Sequence, residues 1–241
     1  MEATTNGILV KAQAVTKVYH TDEVATHALR GVSTEITAGE FLAVVGPSGS
    51  GKTTLLNLIG ALDAVTEGRL EVMGKDVATM SKRQRADMRL HSLGFVFQAY
   101  NLFPVLTAQE NVEFVLELQG ISERRSERAR EALDQLGLLE FADRRPTQMS
   151  GGQQQRVAVA RAIASRPRLV LADEPSANLD GENARILLDM MHDLNVREGI
   201  TFIFSTHDPR VIAYARRVIT LVDGRIDTDV VKKQDTDVNK E

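Results

Sequence analysis

The chain has 241 residues, 43% hydrophobic and 26% charged, with a formal charge of −4 and no cysteine. Such a composition fits a soluble globular protein of one large or two modest domains, and it excludes disulfides, thiolate metal sites, cysteine nucleophiles and a globally basic surface for nucleic acid. No apolar run is long enough to cross a bilayer and Met1 to Asn6 show no signal-peptide core, so the expectation is a chain that stays in the compartment where it is made.

The first segment holds short alternating stretches at Ile8–Val10, Ala14–Val15, Val18–Tyr19 and Val32–Ile36, which predict antiparallel strands. Tyr19 either stacks on a base or fills a strand edge. An apolar strand over Phe41–Val45 then leads into Gly46-Pro47-Ser48-Gly49-Ser50-Gly51-Lys52-Thr53-Thr54, and a helix opens near Lys52 and runs to Leu62. Strand, glycine-rich loop and helix together make the Gly-x-x-x-x-Gly-Lys-Thr cradle for a nucleoside triphosphate. Gly46, Gly49 and Gly51 let backbone N–H groups close on the phosphates, and the helix adds the positive end of its dipole. Lys52 supplies a point charge for the terminal phosphates, and the Thr53 hydroxyl is placed to ligate Mg²⁺. In the helix, Leu55, Leu56, Leu58, Ile59 and Leu62 predict a largely buried face.

Strands follow at Gly68–Val72 and Gly94–Phe97, separated by a charged helical stretch over Ser81–Arg89. The second ends at Gln98, a neutral amide suited to Mg²⁺ or to orienting water, or simply to polar surface. Residues 99–145 predict a helical insertion. Thr107 and Glu110 form a capping box for a helix that Gly120 closes, and a second helix spans about Ser122–Leu136. Tyr100, Leu102, Phe103, Val105 and Leu106 crowd around Pro104, which predicts a mixture of inward packing and partner docking. Ser150-Gly151-Gly152-Gln153 combines a capping box with two glycines that are poor helix formers, and so predicts a second anion-binding helix start.

Leu169–Ala172 reads as a buried strand ending in Asp173-Glu174-Pro175, and ligands of open parallel sheets sit at such carboxyl ends. Neighbouring strand residues face opposite ways, which gives Asp173 to the Mg²⁺ shell and Glu174 to the attacking water as general base. A polar loop, Ser176 to Asp180, precedes a helix over Glu182–Val196. The strand Ile200–Phe204 then delivers His207 to the same edge, where it can bond a γ-phosphate.

Taken together, these residues resemble the ATP-binding-cassette (ABC) ATPases, from Tyr19 through the P-loop, Gln98, Ser150–Gln153 and Asp173-Glu174 to His207. The resemblance implies an α/β fold: a P-loop, RecA-like core with a mostly parallel sheet, an N-terminal antiparallel β subdomain and an inserted α-helical subdomain. It implies one cassette over 7–228, made of 7–98 plus 146–228 with the helical part at 99–145, and flexible termini at 1–6 and 229–241. Tyr19 becomes an adenine platform, Gln98 a Mg²⁺ sensor linked to the helical part, and Asp180 a residue that speaks across a dimer. The signature Ser150–Gln153 of one copy is implied to cap ATP held by the other copy's P-loop, so that a homodimer encloses two Mg-ATP. Motifs such as Leu106-Thr107-Ala108-Gln109-Glu110-Asn111-Val112 are most similar to the macrolide-exporter and lipoprotein-releasing branch, with Met149 for Leu, Thr53 for Ser and Ser176-Ala177 for Thr-Gly as departures. That branch implies a motor at the cytoplasmic face of a membrane, with separate permease subunits docking near Gln98–Leu106 and the helical subdomain. The cell-division relative, which signals and does not transport, shares these catalytic residues and stays open as an alternative. A nucleic-acid ATPase is disfavoured, since one compact cassette here lacks a basic face.

Overall fold

A computed structural model describes residues 7–21 and 24–232. The flexible segments expected at 1–6 and from 233 onward lie outside the described residues. Two sheets and a set of helices enclose two cores.

The first sheet is antiparallel. Strands β1 (Ile8–Thr21) and β2 (Val24–Thr37) pair along their length, and β4 (Glu67–Val72) and β5 (Lys75–Asp76) extend the sheet in the order β2-β1-β4-β5. The short stretches read from sequence are therefore pieces of two 14-residue strands. Register shifts around Ala12–Thr16 break the period-two alternation, and Ala14 sits at φ 48°.

The second sheet carries the site. Its order is β10-β9-β3-β8-β7-β6, built from β3 (Phe41–Val45), β6 (Leu93–Val96), β7 (Leu169–Asp173), β8 (Thr201–Ser205), β9 (Arg217–Val222) and β10 (Arg225–Val231). All neighbours are parallel except β10, which returns antiparallel on β9. The central strands are buried on both faces, so Phe41–Val44 and Phe202–Phe204 read as unbroken apolar runs with little alternation. β10 continues to Val231, past residue 229 where the sequence reading began a flexible tail. The Arg217 guanidinium forks onto Asp229 at 2.7 Å and anchors that end.

One core lies between the two sheets and is filled by Leu9, Val32, Leu42, Val44, Leu55, Ile59 and Ile203. The other lies between the large sheet and the helices, with Phe41, Phe202 and Phe204 packed ring to ring beneath Val157, Leu187 and Met191. Helix α1 (Lys52–Ile59) stops before Leu62, because Gly60 caps it and Ala61 turns to φ 51°. Leu62, expected in the core, is 48% exposed.

Helices α2 (Lys82–Ser92), α3 (Ala108–Leu118) and α5 (Gly151–Ile163) open on Ser81, Thr107 and Ser150, each in a full capping box with the Gln or Glu three residues on. Helix α4 (Arg125–Gln135) begins three residues later than the apolar spacing predicts, since Arg124 takes the left-handed conformation and cannot extend it. In the loop before α3 the packing is mixed: Leu102 joins the helical core while Phe103 and Val105 are exposed. Buried Asn111 fixes this loop, donating to the Phe103, Leu106 and Thr107 carbonyls and accepting from the Phe103 N–H.

Candidate functional site

Strand register decides where the chemistry collects. Val44 pairs with Ser205, Asp173 with Ser205, and Ala172 with Val96, all in parallel. The segments that leave β3, β6, β7 and β8 therefore emerge along one edge of the sheet. They carry Gly46–Thr54, Phe97-Gln98, Asp173-Glu174 and Thr206-His207.

The loop after β3 turns where only glycine fits. At Gly46 φ is +145°, and a β-carbon there would lie 2.0 Å from the Leu221 carbonyl oxygen. At Gly51 φ is +102°, and a β-carbon would lie 2.5 Å from the Ala28 carbonyl oxygen. The loop closes around its own lysine: Lys52 Nζ donates to the carbonyls of Gly46 at 2.9 Å and Pro47 at 3.0 Å. No side chain caps α1, so the N–H groups of its first turn, Lys52 to Thr54, keep their donors for an anion. Pro47, Ser48 and Gly49 form the exposed outer wall, and Ser50 is buried.

The two acids part company, as strand geometry requires. Asp173 Oδ1 accepts from the Thr53 hydroxyl at 3.3 Å. Glu174 has a positive φ of 47°, and its N–H donates to Ser205 O at 2.8 Å. That turn aims its carboxylate at β8, where Oε2 accepts from the Thr206 hydroxyl at 3.2 Å and Oε1 lies 2.6 Å from His207 Nδ1. The Glu174 side chain is only 17% exposed, and His207 is 75% exposed. So His207, expected on a phosphate, is here paired with the candidate base. Hydroxyl, carboxylate and amide oxygens at Thr53, Asp173 and Gln98 are the hard donors Mg²⁺ prefers, and Mg²⁺ characteristically takes few protein ligands beside phosphate and water.

Gln98 is exposed on the loop after β6, and its backbone is held from three directions. Asn178 Nδ2 donates to Gln98 O at 3.0 Å, buried Gln155 donates to the Phe97 and Pro175 carbonyls, and Arg161 donates to the Tyr100 and Asn101 carbonyls. Two of those side chains come from α5, the helix that starts at the signature.

At that start Ser150 Oγ accepts from Gln153 N–H and Gln153 Oε1 from Ser150 N–H. Both glycines have packing reasons of their own. A β-carbon on Gly152 would lie 2.6 Å from Asn183 Oδ1, and one on Gly151 2.8 Å from the Tyr100 hydroxyl. Asn183 cannot yield freely, because Asp180 accepts from its N–H at 2.8 Å and from its Nδ2 at 2.7 Å while capping helix α6 (Gly181–Glu198). Bonds from the Asn183 backbone and side chain hold the Asp180 carboxyl below its usual range. The neighbours of the signature glycines are thus Tyr100 and Asn183, on the helical side, and not this chain's own P-loop.

Tyr19 sits near the end of β1, 37% exposed, with its hydroxyl donating to Asp63 at 2.9 Å. Sequence reasoning passed over Asp63, Thr206, Gln155 and Asp208, none of which stands in a recognisable motif. Only Asp208 carried a local signal, an acid before proline at a helix start. It caps helix α7 (Pro209–Tyr214), takes a forked pair of bonds from Arg210, and accepts from buried Ser176 at 2.6 Å. That bond ties the turn after Glu174 to the turn after His207.

The family model described as ABC transporter matches residues 29–177. The chain is 45% identical to the lipoprotein-releasing system ATP-binding protein LolD 1 of Caulobacter vibrioides, over 92% of this chain and 96% of that protein. It is 48% identical to LolD of Anaeromyxobacter dehalogenans, over 91% and 93%. To the macrolide export ATP-binding/permease protein MacB of Syntrophobacter fumaroxidans it is 44% identical over 92% of this chain but only 31% of that longer protein. Among solved structures, the dimeric structure of MJ0796, a bacterial ABC transporter cassette, superposes with a TM-score of 0.86 at 40% identity, covering 92% of this chain and 98% of that one. A dimeric post-hydrolysis state of the same cassette, bound to ADP and Pi, gives 0.85.

Proposed function

The chain belongs to the ABC transporter ATP-binding family and is an ATPase, and from that premise we propose how its residues share the work. Two copies close head to tail, each P-loop (Gly46–Thr54) holding the phosphates of one ATP and each Ser150–Gln153 helix start covering the ATP of the other copy. The observation that carries this reading is the separation, in one chain, of the uncapped first turn of α1 at the sheet edge from the Ser150–Gln153 start of α5, whose glycines lie against Tyr100 and Asn183.

Lys52 and the first-turn N–H groups of α1 draw off negative charge from the β- and γ-phosphates. Thr53, Asp173 and Gln98 would hold Mg²⁺, which would neutralise phosphate charge when bound. Glu174 takes a proton from water as the water oxygen attacks the γ-phosphorus and ADP leaves with the bridging oxygen. Thr206 and His207 keep the Glu174 carboxylate aimed, and His207 reaches the γ-phosphate once that bond is given up. Asp180, at the exposed head of α6, faces the second copy.

The subdivision that fits these roles is a core and β part at 7–98 and 146–228 with a helical part at 99–145. An apolar groove of about 360 Å³ runs where they meet, lined by Leu62, Leu90, Phe95, Phe97 and Val115. With Phe103 and Val105 close by in sequence to Gln98, it is the proposed seat of separate transmembrane permease subunits, and it accounts for Leu62 lying outside the core. No helix among the described residues is long and apolar enough to cross a membrane. Attachment at the cytoplasmic face through such subunits fits that observation. By analogy with the named relatives, the proposed work is export or extraction of a lipoprotein, lipid, peptide or macrolide-like substrate from the membrane.

Glu174→Gln tests the reading. With Mg-ATP it is expected to elute from gel filtration as a stable dimer and to hydrolyse nothing; a variant that stays monomeric with ATP bound would sink it.

A further inference from the structure

Two residues that no motif covers lie against Tyr19. Lys17 and Tyr19 stand two apart on β1 and so share one face of the strand. Lys17 Nζ lies 4.7 Å from the centroid of the Tyr19 ring, close enough for the cation to be drawn to the π face. The same ammonium donates to Asp63 Oδ1 at 2.7 Å and to the Ala64 carbonyl at 2.9 Å. Asp63 Oδ1 also accepts from the Ala64 N–H at 2.7 Å, and its other oxygen takes the Tyr19 hydroxyl. Lys17 is buried, with a side chain 11% exposed, so its charge has exchanged water for these partners.

The result is a closed circuit. Asp63 fixes the far end of the tyrosine, Lys17 occupies one side of its ring, and the Ala64 backbone fixes both charges. Burial alone would raise the Asp63 carboxyl, but bonds from Lys17, Ala64 and Tyr19 outweigh it and hold the group ionised below its usual range.

We propose that Lys17 and Asp63 are positioning residues for the base of the nucleotide: they lock Tyr19 edge and underside, leaving its other face preorganised to stack on a purine. This inference rests on the reading of Tyr19 as the adenine platform. Preorganisation matters because a free tyrosine would lose rotamer freedom on binding, and stacking worth only a modest factor is easily offset by that loss.

The test compares two probes, ADP and inorganic tripolyphosphate, by calorimetry on the full chain. Tripolyphosphate engages the P-loop but has no base. Lys17→Met with Asp63→Asn removes both charges together, so no lone buried charge remains, and Lys17→Arg keeps the cation. The double variant is expected to bind ADP about fivefold to tenfold more weakly with tripolyphosphate affinity unchanged, and Lys17→Arg to stay within about twofold of wild type. Tyr19→Ala is the control for the underlying reading and is expected to weaken ADP by at least as much. If Tyr19→Ala weakens ADP and the double variant does not, the lock is refuted and the platform stands. If the double variant weakens both probes equally, the two residues serve the fold alone and the inference fails. If Tyr19→Ala leaves ADP binding intact, the platform itself is wrong and the lock falls with it.

Discussion

A single methyl group separates two kinds of glycine in the P-loop. At Gly46 it would press on the Leu221 carbonyl at 2.0 Å, whereas at Gly49 it would meet nothing within 4 Å. Gly46→Ala should therefore cost about 3 kcal/mol from overpacking and backbone strain, and Gly49→Ala only about 1 kcal/mol from its positive φ. Urea denaturation of the two variants checks that order. His207 poses the opposite case, a side chain so exposed that removing it should shift stability by less than about 0.5 kcal/mol. Because it pairs with Glu174, His207→Ala should still slow ATP turnover by about a hundredfold or more, a split that steady-state kinetics beside a melting curve will show. Lys52→Ala should lose nucleotide binding measurable by calorimetry. Most of these residues were legible as motifs, because phosphate chemistry requires fixed residue types at fixed spacing. Thr206 was not, since its bond to Glu174 depends on a strand neighbour far away in sequence.

Helix starts were the elements the sequence announced most clearly. A capping box is a local device, four residues long, and Thr107 and Ser150 display it in full. Strands were harder to read. The bulged β1 hid behind broken alternation, and β9 and β10 went unread because their ends are set by the remote partners of Arg217, namely Glu40, Asp229 and the Glu35 carbonyl. The cap of α7 yields a prediction with a definite sign. Burial pushes the Asp208 carboxyl up, but bonds from Arg210 and Ser176 win and leave it below its usual range. A carboxyl depressed in the folded state stabilises above its unfolded pKa of about 3.9, and that stability fades as pH falls through the lower folded value. Asp208→Asn should thus be less stable than wild type at pH 7, and the gap should shrink steadily below about pH 4. Urea midpoints across that range will show whether it does.

Across the whole molecule, α5 is the member that joins the parts. Its first turn is the signature, Gln155 and Arg161 grip the loop carrying Gln98, and its apolar face packs into the helical core. Those side-chain bonds connect the loop carrying Gln98 directly to the helix that starts at Ser150. The sequence predicts two anion-binding helix starts in one chain; the fold adds that the glycines of the second lie against Tyr100 and Asn183. The claim at the centre of this account is that each half-site works only with its twin, and mixing two dead variants tests it most directly. Lys52→Ala lacks a working P-loop, and Ser150→Arg blocks the signature. A mixed dimer pairs one intact P-loop with one intact signature, so ATPase activity absent from either variant should return on mixing and track the mixed-dimer fraction. If Ser150→Arg alone hydrolyses ATP at the wild-type rate, or the mixture never exceeds the sum of its parts, the shared site is contradicted.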